Sequence, residues 1–132
     1  MPPESAPASR ATLRGVHFTG WTAGSPKARR RFIEDMKSGD FNAVAIALKD
    51  YDGRVFVKEV PLAKATGSYM NAIPDLPGTV AEFKGAGIYS IGRIAVFKDD
   101  FLARARPELA VKFPDGRIWT NDAGTAWVDP YR

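Results

Sequence analysis

Two apolar runs constrain this chain more than any other feature. Ala43-Val44-Ala45-Ile46-Ala47-Leu48 runs into Lys49-Asp50, and Ile91-Gly92-Arg93-Ile94-Ala95-Val96-Phe97 runs into Lys98-Asp99. Both runs are short and nearly continuous, with β-branched residues. A strand covered on both faces needs no polar alternation, so the pattern predicts strands of a parallel sheet in an α/β fold. The charges then fall where each strand leaves the core. In such sheets ligands and catalytic groups gather at the carboxyl ends of strands, so two Lys-Asp pairs there point to a polar substrate, with plain loop charges as the alternative.

The intervening residues supply the crossovers. Gly15-Val16-His17-Phe18-Thr19 reads as a first strand and Gly20 to Gly24 as the loop after it. Ser25-Pro26 then starts a helix, because Ser25 can cap free N–H groups and Pro26 in the first turn loses nothing by lacking its own. Ala28, Phe32, Ile33 and Met36 form its apolar stripe, and Gly39 ends it. Strand, helix and strand make a βαβ unit, which is right-handed in nearly all proteins. Asp52-Gly53 marks a small hairpin, residues 61–77 read as loop, and a second crossover helix is expected over Gly78–Lys84 before a third strand, Ile88–Phe97. Asp99 or Asp100 caps a short helix that Pro107 ends, and Pro114-Asp115-Gly116 turns another hairpin. Asp129-Pro130 would open one more helix.

At 132 residues and 14.4 kDa the chain is one domain's worth of sequence. Residues 1–12, rich in Pro, Ser and Ala, read as a disordered linker, and residues 13–132 as the domain. The linker would suit the spacer after a cleaved signal or lipid anchor, which favours an extracytoplasmic or envelope location. No apolar stretch approaches the ~20 residues a bilayer span needs. Cysteine is absent, which excludes disulfide scaffolds, thiolate metal sites and thiol nucleophiles, and the single His17 cannot build a multi-histidine metal site. No metal or other cofactor is expected. The net charge of +4 permits an anionic partner. Lys27, Arg29, Arg30 and Arg31 carry no interleaved aromatics, so they read as a solvated helix face and nucleic acid is not expected.

Four ordered motifs carry a family resemblance. They are Gly15 to Pro26, then Asn42-Ala43-Val44 leading to Leu48-Lys49-Asp50 and Asp52-Gly53, then Gly92 to Asp99, and finally Trp127-Val128-Asp129-Pro130. Together they resemble the putative glycosyl hydrolase domain found in bacterial and archaeal proteins. The resemblance implies the first three strands of a (β/α)8 (TIM) barrel, incomplete within this chain, and a carbohydrate or polysaccharide substrate. It also implies a further helix after Trp-Val-Asp-Pro and an Asp-bearing strand beyond that. Two positions depart from the pattern: His17, and Pro77-Gly78, which predicts a shortened helix.

Glycoside hydrolysis ordinarily uses two carboxyl groups about 5–5.5 Å apart for retention or about 6.5–9.5 Å for inversion. No residue of this chain is assigned either role, and the chain alone is expected to be inactive. The substrate-binding candidates are Trp21, Lys49, Asp50, Arg93 and Lys98, with Trp127 as a stacking surface or core lid. Asp50 either contacts substrate or closes the hairpin, while Asp99 and Asp100 are read as caps. Arg93 sits in an apolar strand, where an unpaired charge is costly, so it should meet a carboxylate or an anionic sugar. The competing account is a stand-alone α/β binding module that self-associates through unpaired sheet edges.

Overall fold

The computed structural model describes residues 12–37, 39 and 41–132. The linker assigned to residues 1–12 falls almost wholly outside them. Three strands, β1 (Gly15–Phe18), β2 (Ala43–Lys49) and β3 (Tyr89–Ile94), form a parallel sheet in the order β1-β2-β3. β2 is central and its residues are buried or half-buried along its whole length, as its unbroken apolar sequence requires. Among the described residues β1 and β3 each keep one outer edge unpaired. β3 is shorter than the expected Ile88–Phe97 and almost entirely exposed, with Ile94 58% and Val96 just beyond it 60% accessible.

Two structural features replace what the local sequence suggested. Gly20–Gly24 is not a loop but a single helical stretch, α1, because the Thr19 hydroxyl accepts the Thr22 N–H at 3.1 Å and caps it. The second crossover helix is not shortened by Pro77-Gly78. It begins earlier, as α4 (Leu76–Gly85), with Asp75 accepting the Gly78 N–H at 3.0 Å and Pro77 in the first turn, where its missing donor costs nothing. Between them, α2 (Pro26–Lys37) starts as the Ser25-Pro26 pair predicts, with Ser25 Oγ accepting from Ala28 N at 3.3 Å.

Helices α1, α2 and α4 pack on the sheet. Phe18, Phe32 and Phe83 meet edge to face with centroids 4.7–6.2 Å apart, and Val44, Ile46, Phe56 and Ile73 complete the buried core. Each such side chain contributes roughly 1.5–3 kcal/mol by leaving water. Arg29 does not belong to a solvated face. Its side chain is 12% exposed and ties α2 to α4 through Glu82 at 2.8 Å and to α1 through the Ala23 carbonyl at 2.8 Å. Lys27, Arg30 and Arg31 remain exposed.

The connections are unequal in length at the two ends of the sheet. At the amino end α2 reaches β2, and α4 reaches β3, in a few residues. At the carboxyl end β2 is followed by a long excursion, residues 50–75, containing a small helix, α3 (Pro61–Ala65). β3 is followed by another, residues 95–129, with α5 (Asp100–Ala105), a 3-10 turn over Pro107–Leu109 and short antiparallel bridges. This second excursion has its own small core of Ala103, Ala110 and Ala126, with Ile118 and Val128 packed on it.

Candidate functional site

The two excursions meet above the carboxyl ends of β2 and β3. Asp52-Gly53 makes the predicted turn, with Gly53 at φ +96° and Asp50 N–H donating to the Arg54 carbonyl at 2.8 Å. Asp99 begins the second excursion. One carboxylate oxygen accepts the Leu102 N–H at 2.9 Å and caps α5, and the other pairs with Lys49 at 3.0 Å. Lys49 also donates to the carbonyls of Ala95 at 2.5 Å and Val96 at 3.3 Å. Its three donors are therefore all held internally, beneath the surface of the site. The Asp99 side chain is only 6% exposed.

Lys98 has a different setting. Its ammonium lies 5.0 Å from the Tyr51 ring centroid and 5.9 Å from that of Trp127, one aromatic from each excursion. The backbone fixes this arrangement, because Val128 N–H donates to the Phe97 carbonyl at 2.8 Å and holds Trp127 beside Lys98. No described carboxylate pairs with this cation. A flat ring pair around a free ammonium can take an uncharged ring by stacking and an anion by charge.

The remaining candidates are placed as follows. Asp50 is half-buried and accepts the Tyr51 N–H at 2.9 Å, so it closes the turn that carries Tyr51. Arg93 is not buried: its strand is an exposed edge, and the guanidinium reaches solvent without a described partner. Trp21 stands 58% exposed on α1. Trp127 is half-buried and lines, with Val111 and Trp119, a shallow open apolar depression of about 270 Å³. The structure thus unites Lys98 with Trp127 over the Lys49 and Asp50 supports, and leaves Trp21 and Arg93 apart.

Sequence reasoning missed Tyr51 and Trp119. Tyr51 follows Asp50 in a turn, and only the meeting of two distant loops gives it a role. A cavity of about 200 Å³ lies between Phe56, Ile73 and the start of α4 and includes Lys58, Glu59 and Asp75 in its wall. Among the described residues no group of three or more His, Asp or Glu side chains is arranged to hold a metal ion, and no helix is long and apolar enough to cross a membrane.

Asp100 anchors the second excursion. Burial raises its carboxyl, but hydrogen bonds from Arg104 and the Ala126 N–H, with the Arg104 charge, outweigh that and hold it below the ordinary carboxylate range. Arg104 also donates to the Gly124 carbonyl at 2.8 Å, so helix and hairpin are tied twice.

A parallel α/β sheet with its longest loops and its polar and aromatic groups at the strands' carboxyl ends defines the class. The chain belongs to the putative glycosyl hydrolase domain family, whose model matches residues 15–132. It is also similar to the crystal structure of a hypothetical protein from Ruminiclostridium thermocellum ATCC 27405, at 31% identity and a TM-score of 0.82 over 88% of this chain. The chain spans 61% of the length of that protein. No curated protein matches it.

Proposed function

We propose that this domain supplies the substrate-binding end of a carbohydrate-active (β/α)8 barrel, in which it holds a glycan for glycoside hydrolysis. Family membership supports a carbohydrate substrate. The observation that carries the site is Lys98 set between Tyr51 and Trp127 at the carboxyl end of the sheet, where barrel enzymes place their substrates. The open outer edges of β1 and β3 support the barrel, since each offers a row of main-chain groups to a further parallel strand.

In this reading Lys49 and Asp50 act beneath the ligand. Lys49, locked to Asp99, sets the position of Lys98 one residue before that carboxylate, and Asp50 shapes the turn that presents Tyr51. Arg93 and Trp21 are exposed and are given no role in this reading. The acid and base are assigned to no described residue, so the domain contributes binding and orientation.

The test is affinity electrophoresis of the full chain through gels carrying neutral and acidic polysaccharides. Retardation by at least one polysaccharide is expected, with Lys98→Met weakening it about tenfold or more, the loss of one charge-assisted contact. A chain that no polysaccharide retards overturns the assignment.

A further inference from the structure

We propose that the outer face of the excursion after β3 is a second ring-binding subsite, so that the ligand is an oligosaccharide carrying carboxylate groups. This rests on the carbohydrate reading above and goes further, naming the length and charge of the substrate. Between residues 110 and 128 three short extended pieces are bridged antiparallel at Ala110–Val128, Lys112–Ile118 and Thr120–Ala126. Val111 N–H donates to the Trp127 carbonyl at 2.8 Å, and Trp119 N–H to the Val111 carbonyl at 2.9 Å. Extended residues alternate faces. Ala110, Ile118, Ala126 and Val128 take the inward phase and form the small core with Ala103.

Val111, Trp119 and Trp127 take the other phase and line the 270 Å³ depression together. Neither indole is among the residues of that small core. The depression falls just below the ~300–1,000 Å³ of sites for drug-sized ligands, the scale of one ring. The apolar face of a pyranose stacks on such a surface while its hydroxyls stay in water. Trp127 is shared: it lines this depression and also meets Lys98. One sugar on the indoles therefore places its neighbour toward Lys98, a cation with no described carboxylate partner, which selects an acidic unit.

The experiment is a calorimetric titration of the full chain with tetragalacturonate, cellotetraose and monomeric galacturonate. Tetragalacturonate is expected to bind at least tenfold more tightly than either of the others. Trp119→Ala removes the advantage of the tetramer over the monomer, while Trp119→Phe restores much of it. Lys98→Met removes the preference for the acidic tetramer. Tetramer affinity unchanged in Trp119→Ala overturns the subsite alone, and equal affinity for the two tetramers overturns the charge selection. If none of the three binds but a different polysaccharide retards the chain in electrophoresis, the inference fails and the carbohydrate reading stands. If no glycan binds by either method, both fall. Retention of the wild-type far-UV spectrum and melting curve by Trp119→Ala separates lost stacking from lost folding.

Discussion

At the scale of single residues, one lysine is locked and its neighbour in space is free, although each is written Lys-Asp in the sequence. Lys49 and Asp99 form a pair that is 16% and 6% exposed, so removing one partner strands the other's charge. Asp99→Ala is expected to lower stability by roughly 3–5 kcal/mol, read from urea unfolding, because it also strips the cap of α5. A loss below about 1 kcal/mol would show the pair to be solvated. Asp100 gives a pH test. Its folded pKa lies below the unfolded one, so its contribution is complete above about pH 4 and is lost as pH falls through the depressed folded value. The deficit of Asp100→Asn in thermal melts should therefore be largest near neutrality and shrink in acid; a deficit independent of pH refutes the linkage. The Asp99 cap was legible in the sequence, since an Asp before a short helix has few other uses, whereas Asp100 lies inside the helix and binds Arg104 and the Ala126 N–H instead of capping it. Arg93 is exposed among the described residues because β3 is an edge, and a strand's own residues do not say whether a neighbour covers it.

At the scale of elements, small residues set the close approaches. A Cβ on Gly24, at the end of α1, would fall on the Ala72 carbonyl oxygen, and backbone cannot move aside as a side chain can. Gly24→Ala is expected to cost about 1–3 kcal/mol or more, measured by chemical denaturation, whereas Gly85→Ala, where a Cβ meets nothing within 4 Å, should be neutral or stabilising. Equal effects of the two would contradict this packing. The βαβ order was legible because Ser25-Pro26 and the Phe32–Met36 stripe are local signals. Thr19 as the cap of α1 and Asp75 as the cap of α4 were overlooked, and each moved a boundary. Trp119 was hidden more deeply. Its phase follows from pairing Val111 with both Trp119 and Trp127, which no single segment displays.

At the scale of the whole molecule, the sheet is buried along β2 and exposed along β3. Ile91, Ile94, Val96 and Phe97 are 41–60% exposed along β3 and its continuation, a row that water solvates poorly. The 132-residue chain is expected to sediment with concentration-dependent self-association, reduced by Val96→Lys; a monodisperse monomer at all concentrations contradicts this. The parallel architecture was readable from two apolar runs, while the second small core was not, because alanines at positions 103, 110 and 126 look unremarkable one at a time. Gly53, with its left-handed backbone, carries a final implication. A side chain there would strike the Asp99 carboxylate, so the turn of one excursion and the helix cap of the other are built against the same atoms. Divergence among relatives should accordingly be lopsided. The exposed tips at Pro114–Gly116 and Asn121–Gly124 can lengthen or change composition without disturbing Lys98, and new glycan preferences can arise there. An insertion between Asp50 and Arg54 would instead separate Tyr51 from its cation, leaving that short turn almost no room to vary.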